Sequence, residues 1–143
     1  MNILDNFSPD EVNTEGNFTI ITSDKDRSVQ GNIYATETGE LIASSFRNSG
    51  EIQYTTDEDL IKLVEGKEHK ITPCYEGAVV KIWIDLEGNL QFSNTKRIDC
   101  RNSFWGNKDD KFEKLFMENG GEAFVNSLKI GLNLTHHFMI MNK

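Results

Sequence analysis

The chain has 143 residues, 37% hydrophobic and 27% charged, which suffices for one domain with a hydrophobic core but not for two ordinary domains. Its formal net charge of −8 disfavours binding of duplex nucleic acid by bulk electrostatics, because phosphates attract a basic surface. No apolar run approaches the roughly 20 residues that span a bilayer, and the first residues lack a signal-peptide pattern. We therefore expect an intracellular, non-secreted protein without a membrane partner.

Short β segments and one helix are predicted in the first half of the chain. The first 16 residues are polar and show no periodicity, which predicts an extended arm ahead of a single α+β domain over residues 17–143. Thr55 or Thr56 as a cap, an acidic first turn and Gly66 at the end predict a helix over Asp57–Val64. The strands predicted before it, with a turn at Thr38-Gly39, are Asn17–Ser23, Gly31–Ala35 and Glu40–Phe46.

The strongest β signal is the alternating segment Ala78–Asp85, which a turn at Glu87–Asn89 joins to a return strand over Leu90–Thr95. In this segment Lys81 and Trp83 share one face. Apolar spacing then predicts two helices and a last strand, over Asp109–Asn119, Glu122–Leu132 and His137–Met141. The predicted fold is α+β, mainly an antiparallel sheet with two or three helices on one side.

Two clusters carry residue types that could bind an anion or a nucleotide. In the first, Glu76 and Gly77 precede a strand with an inward Lys81, so that a carboxylate, a close backbone approach and an amine could meet one ligand. The alternative is a turn that opens a hairpin, with Lys81 at a sheet edge. In the second, basic residues follow a strand and precede two aromatic residues; they are Lys96, Arg97 and Arg101. The alternative there is an ordinary solvated turn.

Histidines and cysteines do not form a recognisable catalytic or metal site. His136 and His137 are adjacent, so in a strand they point to opposite faces. Cys74 and Cys100 are too few for a disulfide scaffold and are expected to be buried small hydrophobes. The usual zinc-ligand spacings are missing, so no metal site is predicted.

Six segments follow one another in a distinctive order, namely Gly39–Phe46, Tyr75–Trp83, Phe92–Asp99, Ser103–Gly106, Phe112–Phe116 and His137–Asn142. In order and spacing they resemble the RNA-ligase-like proteins of large DNA viruses, over roughly residues 30–143. The resemblance implies part of a nucleotidyltransferase (RNA ligase adenylation) domain. It also implies a nucleotide-binding role for the candidates above and for Phe138, which lies in the last of these segments.

The catalytic residues of that family are incomplete in this sequence. The family forms a covalent Lys–AMP intermediate with ATP and Mg²⁺, using the lysine of a K-x-[D/E]-G motif. Aligning Glu76-Gly77 with that motif places Cys74 at the lysine position. No catalytic residue is therefore assigned, and no cofactor is expected; ATP and Mg²⁺ would serve only if the ligase-like site were functional.

The resemblance and the missing nucleophile together favour a non-catalytic viral protein, a pseudoenzyme that acts as a binding or assembly module through protein–protein contacts. The expected partner is another protein or a second copy of the chain, in the host cytoplasm or the virion, while the acidic surface makes nucleic acid a weaker candidate. Two alternatives are an active or split adenylyltransferase fragment and an unrelated small α+β interaction protein.

Overall fold

Two antiparallel β-sheets make up the α+β fold in a computed structural model, which describes residues 2–46, 56–73, 76–127 and 134–141. The first sheet contains four strands in the order β1-β2-β3-β4, which are Val12–Glu15, Phe18–Ile21, Ile33–Ala35 and Leu41–Ala43. The second sheet has the order β6-β5-β7, with β5 at Ala78–Ile84, β6 at Leu90–Ser93 and β7 at His136–Ile140. The described helices are α1 at Asp57–Val64, α2 at Phe112–Phe116 and α3 at Glu122–Ser127.

The N-terminal residues belong to the first sheet, in place of the extended arm that the sequence predicts. A short 3-10 helix over Ile3–Asn6 comes first, and β1 then pairs with β2. The carboxylate of Glu11 fixes the start of β1, because it accepts hydrogen bonds from Ser8 and Ser23 and lies 2.6 Å from Nζ of Lys25. The hydrogen bond from Lys25 is the main reason that the pKa of Glu11 falls to about 2.

Both predicted hairpins are present, with shorter strands in the first sheet than the sequence predicts. Strand β3 pairs with β4 across a turn that contains Gly39, which has a φ of +70°. Strand β5 pairs with β6 from Ile84 opposite Leu90. The turn between them is held by Asp85, whose Oδ1 accepts hydrogen bonds from the backbone amides of Glu87 and Asn89.

Strand β5 lies at the centre of the molecule, because both of its faces are covered. Trp83 packs with Ile20 and Ile33 of the first sheet, in a core between the two sheets. Val80 and Ile82 point the other way and pack with residues of the helical segment. The molecule therefore has three layers: the first sheet, the second sheet, and α2 with α3 on its outer face.

The helical segment at 112–127 is broken where the sequence predicts a boundary between two helices. The turn over Met117–Gly121 is kinked, since Gly120 adopts a φ of +104° that ordinary residues rarely reach. Helix α2 is shorter than predicted, and the predicted continuation of α3 over 128–132 lies outside the described residues. Helix α1 has the predicted bounds and the predicted cap at Thr56, and none of its residues is buried.

Candidate functional site

Lys81 is fully buried between the two sheets. Its Nζ donates a hydrogen bond to the carbonyl oxygen of Gly31, which lies just before β3 in the first sheet. Burial between the sheets removes water from the amine and lowers its pKa to about 7. The alternative of a lysine at the sheet edge is wrong, because β5 has a neighbouring strand on both sides.

Gly31 is required where Lys81 meets the first sheet. Its φ is +81°, and a Cβ added there would lie 2.7 Å from Oγ of Ser45 and 3.4 Å from Cα of Thr95. The backbone can therefore approach closely only because the residue has no side chain. The Lys81 amine is thus used to join two sheets, and within the described residues it is enclosed rather than presented to solvent.

His137 is the cross-strand neighbour of Lys81 on β7 and points to the same face of the sheet. Its Nε2 lies 3.1 Å from the carbonyl oxygen of Ser44, and its ring is 4.1 Å from that of Phe46. Burial lowers the pKa of His137, and the neighbouring Lys81 charge acts in the same direction. Two titratable groups of the second sheet therefore contact backbone carbonyls at the end of the first.

His136 points to the opposite face, as the sequence predicts. Its ring packs against Phe124 with 5.3 Å between centroids, and its buried Nε2 has no hydrogen-bond partner among residues in the described ranges. Among the described residues neither histidine is hydrogen-bonded to a nucleophilic side chain, because His137 contacts a backbone carbonyl and His136 packs against an aromatic ring. The structure gives this pair a packing role.

Hydrogen bonds also link buried polar side chains between the two sheets. We call this region, which contains Lys81, Trp83 and Ser93, the inter-sheet layer. The Trp83 indole donates to Oγ of Ser93 at 2.8 Å, and Ser93 donates in turn to the carbonyl oxygen of Ile98. Cys100 is buried in the core on the helical side of the second sheet, as predicted, and burial raises the pKa of its thiol to about 12. A thiol with that pKa is not a thiolate at neutral pH, so Cys100 has none of the nucleophilic character of a reactive cysteine.

The basic cluster does not converge on Lys81. Lys96 and Arg97 are exposed in the turn after β6, where Oδ1 of Asn94 accepts hydrogen bonds from both of their amides. Arg101 lies over the ring of Phe92, which points to the helical side of the second sheet. Lys81 points to the other side. The three basic residues and Lys81 therefore do not share one accessible surface.

Arg101 is partly used to hold the chain after β6 in place. One of its terminal nitrogens donates to the carbonyl oxygen of Leu90, and its Nε lies 4.0 Å from a carboxylate oxygen of Glu113. Both contacts connect the segment around residue 101 to neighbouring elements, β6 and α2. This half-buried guanidinium is less free to bind an anion than the sequence indicates.

The acidic candidate stands apart from the lysine. Glu76 is exposed just before β5, and Gly77 lies against β7, where a Cβ would be 2.5 Å from Cγ of Met139. Cys74, which the resemblance places at the position of the catalytic lysine, lies outside the described residues. Glu76 therefore stays a prediction as a ligand-binding residue.

Phe138 lies in an aromatic cluster on the helical side of the second sheet. Its ring centroid is 4.9 Å from that of Phe116 and 4.6 Å from that of Phe124. The cluster forms the floor of a groove between the kinked helical segment and β7, with a volume of about 650 Å³. We call this the β7 groove; it is lined by these three rings, by Trp105, and by the exposed methionines Met139 and Met141.

Two polar side chains also line the β7 groove. Asp110 is half-buried just before α2, and within the described residues its carboxylate has no hydrogen-bond or ion-pair partner. Asn119 donates from Nδ2 to the carbonyl oxygen of Leu115 at 2.7 Å, which stabilises the end of α2 next to the kink. The groove is thus mostly apolar, with one carboxylate available at its wall.

The sequence alone does not predict the β7 groove, although the glycine pair that lines part of the groove is visible in the sequence. Gly120-Gly121 indicated the end of a helix, and the kink at Gly120 is what opens the space beside β7. Gly121 is needed for close packing, because a Cβ there would lie 2.3 Å from the ring of Phe116. The position of β7, which begins only at His136, could not be inferred from the glycines alone.

Comparison with known proteins identified no relative: no family model, no curated protein and no solved structure matches the chain. In the described part of the chain, no group of three or more His, Cys, Asp or Glu side chains could hold a metal ion. The described helices include none that is long and apolar enough to cross a membrane.

Proposed function

We propose that this protein is a non-catalytic binding module that recognises a segment of another protein in the β7 groove. The observation that carries the proposal is the groove itself. It is an apolar concavity of about 650 Å³, within the range of protein binding sites, and two of its methionines are half exposed. Exposed apolar surface next to a concavity is typical of sites that a partner covers.

The position of β7 favours an extended partner segment. Within the described residues β7 is an edge strand, since its one strand neighbour is β5. An edge strand offers unpaired backbone N–H and C=O groups with which another chain can pair. Methionine side chains beside such an edge adapt to different partner side chains, because they are flexible and polarisable.

The interior of the protein argues for binding rather than catalysis. A nucleophilic lysine must reach its substrate, and Lys81 is enclosed and hydrogen-bonded to Gly31. The resemblance to the RNA-ligase-like viral proteins stays a prediction. The proposed role agrees with it in one respect, because a family member without its catalytic lysine could still retain a binding surface.

Co-purification with a matched pair of variants tests the proposal. Met139→Asp places a charge in the β7 groove, whereas Leu86→Asp makes the same kind of change at an exposed residue of the β5–β6 turn, outside the groove. We expect the natural partner to co-purify with the wild type and with Leu86→Asp, and to be lost from Met139→Asp. Retention of the partner by Met139→Asp would contradict a groove-based interface.

Incubation with labelled ATP and Mg²⁺ tests the catalytic alternative. We expect no covalent adduct on the protein, because the buried Lys81 amine cannot reach a nucleotide. A nucleotidyl group found by mass spectrometry on Lys81, on Cys74 or on Lys70, an exposed lysine four residues before Cys74, would overturn the proposal in favour of an active or split adenylyltransferase.

A further inference from the structure

The β7 groove contains one carboxylate, that of Asp110, which has no partner in the part of the chain that the structure describes. The backbone amide of Asp110 donates to the carbonyl oxygen of Asn107 at 3.1 Å, which fixes Asp110 two residues ahead of α2. Its side chain lines the groove together with the ring of Trp105. Within the described residues no basic side chain forms an ion pair with Asp110. A half-buried carboxylate in an apolar groove attracts a cation more strongly than one in open water.

The groove reaches past the edge of β7. Four consecutive residues from Phe138 to Met141 line it. Because successive side chains of a strand point to opposite faces, a ligand that contacts all four must lie along the strand edge and not on one face alone. This shape fits an extended peptide better than a compact small molecule.

From these two observations we propose that the β7 groove binds an extended segment of another protein in which a lysine or arginine stands among apolar residues, with the basic group paired to Asp110. The inference rests on the proposed function and specifies its partner. The apolar side chains of the segment would cover Phe138 and the exposed methionines. The stem of the basic residue would pack on the aromatic lining while its charge reaches the carboxylate.

A second copy of this chain is a poorer occupant than a basic partner. Each copy has a formal net charge of −8, so two copies repel each other, and the groove adds a carboxylate at the contact. A basic segment is attracted by the same field, and the attraction weakens as salt is added. Charge complementarity therefore selects a heterologous, basic and apolar segment.

Selection from a displayed library of random nine-residue peptides, with the purified full chain as bait, tests this inference. We expect the selected peptides to be enriched in lysine or arginine flanked by apolar residues. Synthetic versions should bind Asp110→Asn about tenfold more weakly than the wild type, and their salt dependence should fall. Asp109→Asn is the matched control, since Asp109 is exposed, carries the same charge next to Asp110 and does not line the groove.

The possible outcomes separate the inference from the proposed function. Peptides that bind in the groove, shown by their loss with Met139→Asp, but that lack a basic residue or bind Asp110→Asn unchanged would overturn the inference and leave the proposed function standing. Equal weakening by Asp109→Asn and Asp110→Asn would also overturn it, because the effect would then be one of general charge. Failure to select any peptide that Met139→Asp releases would contradict both.

Discussion

The inter-sheet layer and the β7 groove use polar groups in opposite ways. Between the sheets, the polar groups of Lys81, Trp83 and Ser93 are fully buried and each has a hydrogen-bond partner. In the groove, Asp110 has no partner within the described residues and methionine side chains are exposed. Buried polar groups must be satisfied for the fold to be stable, whereas an open groove can leave them for a ligand. Lys81, whose amine has a lowered pKa, is therefore used to hold the two sheets together, and recognition of a partner is expected at the groove.

The largest effect is expected from Trp83→Ala. Trp83 is fully buried and fills the core between the sheets, so its removal would leave a large cavity and remove the hydrogen bond that Oγ of Ser93 accepts. We expect the free energy of unfolding to fall by about 3–5 kcal/mol in urea denaturation.

Trp83→Phe provides the control for this variant. It keeps most of the apolar contact, including that with Phe18, and removes the hydrogen bond to Ser93, so we expect a loss of about 1–2 kcal/mol. If Trp83→Ala cost no more than Trp83→Phe, the space between the sheets would not be the packed layer described above.

The β5–β6 hairpin and α1 could be predicted from the sequence, because the residues that indicate them are close together in the chain. The cap, the acidic first turn and Gly66 define α1, and the alternating segment with its turn defines β5 and β6. The role of Lys81 could not be predicted in the same way. Its hydrogen-bond acceptor is the Gly31 carbonyl, 50 residues away in the chain, and a lysine in a strand ordinarily indicates a solvent-exposed face.

The candidate site was less predictable than the fold. A linear pattern shows which residues are basic or acidic, but the face of the sheet to which each points depends on register and on the layers above and below. Lys81 and Arg101 are 20 positions apart in the sequence, and they lie on opposite sides of the second sheet. The β7 groove depends on a helical kink and a strand that meet only in the folded chain.

The next prediction concerns the inter-sheet layer and the effect of pH on the free energy of unfolding. The pKa of Lys81 is lowered from 10.5 to about 7. Between pH 7 and pH 9 the unfolded chain therefore holds a proton that the folded chain has released, and the free energy of unfolding rises with pH, by up to about 2 kcal/mol. Above pH 9 the raised pKa of Cys100, about 12, acts in the opposite direction, because the unfolded thiol loses its proton first.

Lys81→Met should abolish the rise between pH 7 and pH 9. Urea denaturation at pH 7, 8 and 9 measures it, with Lys62→Met, an exposed lysine of α1, as the matched control that should keep the rise. A rise that persisted in Lys81→Met would originate in another group and would contradict the lowered pKa of Lys81, and with it the contrast between the two regions.

A smaller effect is expected at the kink that opens the groove. Gly120 has a φ of +104°, and a Cβ added there would meet nothing within 4 Å, so the cost of Gly120→Ala arises from the backbone alone. We expect a loss of about 2 kcal/mol in the free energy of unfolding, measured by urea denaturation. Gly16→Ala is the control: it is equally open, but its φ of +58° lies in the left-handed region that other residues can adopt, so the loss should be about 1 kcal/mol. Equal losses would indicate that the segment relaxes and that the kink is not imposed by Gly120.

The smallest effect on stability is expected in the groove itself. Met141 follows β7 and is 55% exposed, so Met141→Ser removes little buried apolar surface, and the free energy of unfolding should change by less than about 0.5 kcal/mol in urea denaturation. The same substitution at Val80, which is fully buried on the same sheet, should cost several times more and serves as the positive control. A loss above about 1 kcal/mol for Met141→Ser would mean that this methionine is already packed into the fold. A side chain that contributes so much to folding could not also be free to receive a partner, and the groove would then belong to the core.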